Sequence, residues 1–223
     1  MSTEPPDVSG LSVGILGGTG DQGKGLARRL ALAGHPIIIG SRSVERAQQA
    51  AQSLGEGLNA RGEENPVAAR EADVVIVAVP WDGHKTLLES LRDDLAGKIV
   101  IDCVNPLGFD KQGAYPLPVE EGSAAQQAAA VLPDSTVIAA FHHVSAVLLL
   151  DPEVDEVELD VLVLGDDREA TATVQALAAR IAGVRGVYGG RLRNAHQIEA
   201  LTANLISINR RYKTHAGVRV TGL

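Results

Sequence analysis

Six residues near the amino terminus, Gly18-Thr19-Gly20-Asp21-Gln22-Gly23, satisfy the pattern G-x-G-x-x-G. The pattern supplies what a pyrophosphate needs. One glycine permits a sharp turn, one lets the backbone approach the phosphates, and one lets a helix pack closely, while the helix N-terminus turns free N–H groups and a positive dipole end toward the anion. A unit built for NAD places Asp or Glu about 20 residues further on, to accept hydrogen bonds from the ribose hydroxyls. This chain has Gly40-Ser41-Arg42 there, with Arg46 one helical turn beyond. A hydroxyl and two guanidinium groups suit a ribose 2′-phosphate. Two or three charge-assisted contacts of about 1.5–3 kcal/mol each favour NADP over NAD by at least about a hundredfold. A purely structural reading has Ser41 capping the next helix while Arg42 and Arg46 are only solvated.

Three further segments sit where strands are expected to end: Val79-Pro80-Trp81, Asn105-Pro106-Leu107 and His142-His143-Val144. Pro80 and Trp81 make a rigid apolar wall for a flat ring, or else a strand stop and a helix-start aromatic. Cys103 has no basic neighbour in sequence and reads as a small buried hydrophobe rather than a nucleophile. Adjacent residues of a strand point to opposite faces, so one histidine of the pair is expected to face the cleft. No second His/Asp cluster has ligand spacing, and no metal is expected. His142 suits acid–base work in an alcohol oxidation, but no Lys or Arg constellation for a carboxylate substrate accompanies it.

The elements that must position these residues alternate. Leu11–Leu16 reads as a buried strand, 24–32 as a helix stopped by Gly34, 36–40 as a strand, 44–54 as a helix, 65–72 as a short helical piece and 73–79 as a strand. Trp81–Leu95 follows as one amphipathic helix, with Leu87, Leu88, Leu91 and Leu95 on one side, and then the strand 98–102. Residues 105–122 carry Pro106, Pro116, Pro118 and several glycines and read as a working loop. Helix resumes at 123–132 and strand at 136–141. After an acidic run come a strand at 158–164, a helix at 168–182, a short strand near 186–188 and a last helix from about Asn194 to His215. Unbroken Val/Ile strands alternating with helices imply a parallel sheet covered on both faces. The fold class is therefore α/β, a doubly wound parallel sheet of the Rossmann type with a small C-terminal α+β cap; residues 1–145 form the nucleotide-binding domain and 146–223 the cap.

Composition narrows the partners. The 223 residues include 28 acidic and 20 basic side chains, a net charge of −8, and that sign is wrong for tracking a nucleic acid backbone. A single cysteine excludes an intramolecular disulfide. The polar opening stretch and the short apolar runs predict neither secretion nor membrane insertion, and a cytoplasmic protein is expected. Ile198, Leu201, Leu205, Ile208 and Tyr212 form a narrow stripe on the last helix, which predicts a homodimer.

Together, Gly17 to Leu26, Gly34-His35, Gly40-Ser41-Arg42, Val79-Pro80-Trp81 and Phe141-His142 resemble the coenzyme F420-dependent NADP oxidoreductases, in order and spacing and over nearly the whole chain after the first ten residues. The resemblance implies reversible hydride transfer between C5 of a reduced deazaflavin (F420H2) and C4 of the nicotinamide of NADP+. It implies that Thr19, Ser41, Arg42 and Arg46 form a 2′-phosphate pocket, and that Gly20, Asp21 and Gln22 form the pyrophosphate turn, to which the glycine pattern adds Gly18. It also sets Val79, Pro80, Trp81 and Ala146 beside the nicotinamide, and His142, Val144, Asn105, Pro106, Ala216 and Gly217 on the deazaflavin side, with the cap completing that pocket. His196 stands where relatives can carry an Arg, so a charge contact there with the coenzyme's acidic tail is not carried over. Both cofactors supply the electronics, so His142 and Val144 are expected to set ring separation and exclude water rather than to move a proton. Two other readings remain: a different NADP-dependent reductase, of a hydroxy acid or an imine, and a non-catalytic NADP-binding redox sensor.

Overall fold

A computed structural model describes residues 4–223. Ten strands and nine α-helices alternate through most of the described chain. The first half runs β1 (Val13–Leu16), α1 (Asp21–Leu32), β2 (Ile37–Ser41), α2 (Val44–Gln52), β3 (Ala60–Glu64), α3 (Asn65–Glu71), β4 (Val74–Val77), α4 (Trp81–Ser90), α5 (Arg92–Leu95) and β5 (Ile99–Asp102). The second half runs β6 (Leu107–Asp110), β7 (Gly113–Pro116), α6 (Ala124–Val131), β8 (Thr136–Ala139), α7 (Ala146–Leu150), β9 (Leu159–Leu164), α8 (Arg168–Ala178), β10 (Val184–Gly190) and α9 (Ala195–Tyr212).

Eight strands form one sheet in the order β10-β9-β8-β5-β4-β1-β2-β3, parallel except where β8 meets β9 through the single antiparallel pair Ala139 and Leu164. The chain steps outward from β1 to β3 and then returns to lay β4 against the other side of β1. A crevice opens beyond the carboxyl ends of the strands at that reversal, where this class of sheet takes its ligands. The alternation of side chains explains why these strands read as unbroken apolar runs. Val13, Ile15, Val74 and Ile76 enter the core on one face, and Leu16, Val75 and Val77 enter the core on the other.

The sequence places the residues beyond 145 in a cap. In the structure β9 and β10 lie in the same sheet as the nucleotide-binding strands, and α7 packs on α1. The approach is close because Gly25 has no side chain: a Cβ there would stand 2.6 Å from the Leu149 Cβ. Arg29, buried on α1, donates to the carbonyls of Leu148, Leu149 and Asp151 at 2.7, 2.9 and 3.1 Å, and so satisfies the end of α7.

Several expectations need correction. Residues 105–122 are no simple loop: Leu107–Asp110 and Gly113–Pro116 pair as a hairpin, turned where Asp110 Oδ1 accepts from the backbone N–H groups of Gln112 and Gly113. The polar strand β3 carries no apolar alternation and was not expected. The helix expected over 81–95 breaks at Leu91 into α4 and α5. The last helix stops at Tyr212, because Lys213 takes a left-handed conformation, φ 51°. No helix among the described residues is long and apolar enough to cross a membrane.

Candidate active site

The turn after β1 is built on glycines for separate reasons. Gly17 has φ +71°, and a Cβ on it would stand 2.4 Å from Val79 Cγ1, so the position excludes larger residues on two grounds. A Cβ on Gly23 would stand 2.7 Å from the Gly18 Cα, so the turn and α1 touch backbone to backbone. Gly20, the residue that precedes α1, is different. A Cβ there would meet nothing nearer than the Gly17 carbonyl oxygen at 3.8 Å, so protein packing asks for no glycine. The space it leaves lies at a helix N-terminus with no side-chain cap, which fits the pyrophosphate of a dinucleotide.

Beside this turn lies a cavity of about 400 Å³ lined by Thr19, Lys24, Arg46, Gln49, Ala50 and Ser53. Thr19 and Arg46 are brought together here, as the resemblance implies. Ser41 and Arg42 lie outside its wall, Ser41 buried and Arg42 exposed at the carboxyl end of β2. The helix cap is Ser43, whose Oγ accepts from Arg46 N at 3.3 Å, so α2 does not need Ser41 for its capping. Arg46 has no carboxylate partner among the described residues, and Lys24 is paired only with the exposed Asp21 at 3.4 Å. Sequence reasoning missed Lys24, Gln49 and Ser53. Their only signal is position: Lys24 lies in the first turn of α1, and Gln49 and Ser53 in and just after the last turn of α2.

The larger cleft, of about 500 Å³, spans the tips of β1, β4, β5 and β8 and one face of α9. One wall takes Gly20, Asp21, Gln22, Val79, Pro80 and Trp81; the other takes Asn105, His142, Val144 and Ala216, joined by His143, Ser145, Thr202, Leu205, Ile206 and Asn209. Gly18, Pro106, Ala146 and Gly217 do not line it. Gly217 lies instead against β9, where a Cβ would stand 2.9 Å from Leu159 Cβ.

The His142 segment departs from the strand expected over 136–141. Strand β8 ends at Ala139, and His142 and His143 occupy a turn in which strand alternation does not apply; both are buried and both line the cleft. Phe141 just before them is buried at φ +64°, an uncommon conformation for a residue with a side chain. Three side chains hold that backbone. Gln22 Nε2 donates to Phe141 O at 3.4 Å, Asn105 Nδ2 donates to His142 O at 2.8 Å, and Thr202 Oγ1 donates to the same oxygen at 3.2 Å. Burial lowers both imidazoles to about pKa 4, so they are neutral near pH 7. Among the described residues neither ring has a side-chain partner, and only backbone groups, those of Cys103 and Val104 at His142, reach them, so both imidazoles are poorly satisfied.

Beneath the cleft, sequence reasoning missed a buried polar network. His84 on α4 lies 2.5 Å from Asp102 Oδ2 and 3.1 Å from Gln127 Oε1, and Gln127 Nε2 donates to Glu121. Both neighbours of the ring are acceptors, so both ring nitrogens donate. Burial opposes the charge, but Asp102 and the two hydrogen bonds outweigh it and raise the His84 pKa. Asp102 Oδ1 in turn accepts from Val104 N at 3.0 Å. The pair thereby ties α4, which begins at Trp81, to the strand tail that presents Asn105. Glu199 on α9 accepts from Ala124 N and Ala125 N at the start of α6, and burial raises it to about 7. Cys103 lines the cleft floor, but its thiol donates to Val77 O at 3.0 Å and burial beside Asp102 pushes its pKa far up, which removes it as a nucleophile.

A Rossmann-type sheet, a glycine turn at its switch point and a two-walled cleft over the strand tips define a nucleotide-binding oxidoreductase. Residues 12–106 match the family model described as "NADP oxidoreductase coenzyme F420-dependent". The chain is 41% identical to the F420-dependent NADP reductase of Methanothermobacter thermautotrophicus, over 96% of each chain, and 41% identical to that of Methanocaldococcus jannaschii, over 96% of this chain and 99% of the other. In the crystal structure of a protein from Arthrobacter sp. FB24 assigned as an F420-dependent NADP reductase, the fold recurs with a TM-score of 0.82 at 24% identity, over 95% of this chain and all of that one. The chain belongs to the F420-dependent NADP reductase family.

Proposed function

We propose that this protein transfers a hydride reversibly between reduced coenzyme F420 and NADP+. Family membership supports the two substrates, and one observation of the cleft carries the reading: apart from Asp21 beside the glycine turn its lining is apolar or neutral, and neither histidine on it is a proton donor near pH 7. When bound, the two coenzymes supply the donor and acceptor carbons, and the protein's task is proximity, orientation and exclusion of water.

In this reading Gly18, Gly20, Asp21 and Gln22 hold the pyrophosphate, and Thr19, Ser41, Arg42 and Arg46 hold the 2′-phosphate, with Lys24 adding a further positive charge. Val79, Pro80 and Trp81 back the nicotinamide, with Ala146 near its far edge. His142, Val144, Asn105 and Ala216 form the deazaflavin side, with Pro106 and Gly217 behind it rather than on its lining. The hydrogen bonds from Asn105 and Thr202 to the His142 carbonyl fix the shape of that side, and the one from Gln22 Nε2 to the Phe141 carbonyl ties it to the other. A homodimer belongs to the same reading, as does a boundary at residue 145 that divides the roles along the chain and not the sheet. The exposed Ile208 and Tyr212 at the end of α9 support the dimer, which light scattering at micromolar concentration tests.

Mixing the purified protein with NADPH and oxidised deazaflavin bleaches the deazaflavin absorbance if the reading holds. A chain that binds NADP yet bleaches nothing is a sensor, and one that oxidises NADPH only with an imine or a keto acid is a reductase of another kind.

A further inference from the structure

Asp160, the second residue of β9, is completely buried and lies away from the cleft wall, yet it gathers more hydrogen bonds than any residue lining the cleft. Arg185 on the edge strand β10 donates Nε to Oδ1 at 2.7 Å and Nη2 to Oδ2 at 2.6 Å. Arg219 Nη1 donates to Oδ1 at 3.2 Å, Val220 N donates to Oδ2 at 2.7 Å, and the backbone N–H of Asp160 donates to Val218 O at 2.7 Å. Arg185 Nη2 also donates to Val220 O at 3.0 Å.

Val218, Arg219 and Val220 belong to the segment that follows α9 and has no helix or strand of its own. It runs beside β9 at a level where β8 does not pair, since β8 reaches β9 only at Ala139 and Leu164. The same segment, a few residues earlier, presents Ala216 to the cleft. There it is fixed more lightly. Ala216 N donates to Asn209 Oδ1 at 2.6 Å, and His215 Nδ1 lies 3.4 Å from Ser145 Oγ. A buried carboxylate clamped by two arginines is a poor general stabiliser, because desolvation offsets much of the attraction; what it provides is a single geometry.

We propose that Asp160 is a positioning residue for the deazaflavin half of the cleft: it fastens Val218–Val220 to β9 and thereby fixes where Ala216 stands. The inference rests on the F420 reading given above. It acts through the segment, with no contact to either coenzyme, so its loss weakens one substrate and spares the other.

Steady-state kinetics with F420 and NADPH varied in turn tests this on Asp160→Asn and, separately, on the half-exposed Arg219→Gln. The expected result is a KM for F420 raised by about tenfold with the KM for NADPH within about twofold, as loss of preorganisation at one site predicts. Trypsin cleavage after Lys213 quickens in both variants, and Arg219→Lys, which keeps a donor and the charge, restores most of the lost affinity. Equal rises in both KM values indicate a general loss of fold and overturn the proposal, as do unchanged KM values in variants whose segment is cleaved faster. If the unaltered protein fails to bleach F420, the F420 reading itself falls; if it bleaches F420 and both variants match it, only the role of Asp160 falls.

Discussion

The two halves of the cleft are built on opposite principles. The half proposed for the phosphates comes from one contiguous stretch and the helix after β2, and it offers exposed groups such as Arg42 and Arg46 and the uncapped end of α1. The ring half is assembled from five distant segments, at Val79–Trp81, Cys103–Asn105, His142–Ser145, Thr202–Asn209 and Ala216, and its backbone is held by partly buried hydrogen bonds. One half waits for its ligand with charges in water, where a phosphate adds contacts without first breaking others. The other has been fixed in advance, at the cost of buried imidazoles and a left-handed Phe141.

That contrast can be broken at several points. Gly20→Val fills the open space proposed for the pyrophosphate, so NADP affinity falls by about a hundredfold or more with little change in Tm, by calorimetric titration and thermal melting. A large fall in Tm would show that protein packing, not the ligand, requires the glycine. Removing both guanidiniums in Arg42→Ala/Arg46→Ala lowers the preference for NADP over NAD by about a hundredfold, at about 1.5–3 kcal/mol per lost contact. Equal losses for the two dinucleotides would exclude a 2′-phosphate role.

In the ring half the effects are smaller and fall on rate. Asn105→Ala frees the His142 carbonyl from its shorter hydrogen bond and lowers the single-turnover transfer rate by about tenfold with the Kd for NADP unchanged, as a loss of orientation does. His142→Ala slows transfer by a comparable factor without abolishing it. A loss near ten-thousandfold would mark His142 as an essential acid or base. The smallest effect is on stability. His143 titrates near 6.5 when unfolded and at about 4 when folded, so the unfolded chain binds the extra proton first, and the protein loses stability as pH falls from about 6.5 toward 4. His143→Leu removes its share of this dependence and leaves that of His142, which burial lowers as far, and the melting difference between the two proteins shifts by roughly 10 °C over that window.

The same contrast governs what could be read in advance. The phosphate turn was legible because its chemistry is local: glycines, a strand before and a helix after are contiguous. The parallel sheet was legible because its central strands are buried on both faces. Strand β3 was not, because Ala-Arg-Gly-Glu-Glu lies at the sheet edge and has no apolar pattern to display; only Gly62, whose Cβ would stand 2.1 Å from the backbone of Ala47, betrays close packing. The hairpin at 107–116 was hidden by its prolines, although Gly108 stands opposite Tyr115 so closely that a Cβ would lie 2.5 Å from the ring. The α9 wall and the pair His84 and Asp102 depend on tertiary contacts between residues far apart in sequence. Glu199 left one trace, a carboxylate beside the apolar stripe of α9.

Strands from both sides of residue 145 are stitched into a single pleated surface, and Arg29 bolts α7 to α1 across the same seam. The sheet under the crevice therefore has no break between its two sides. Traffic of two bulky redox partners in and out must be managed by small movements at the mouth, so turnover in viscous solvent should slow only as far as free diffusion of the coenzymes slows.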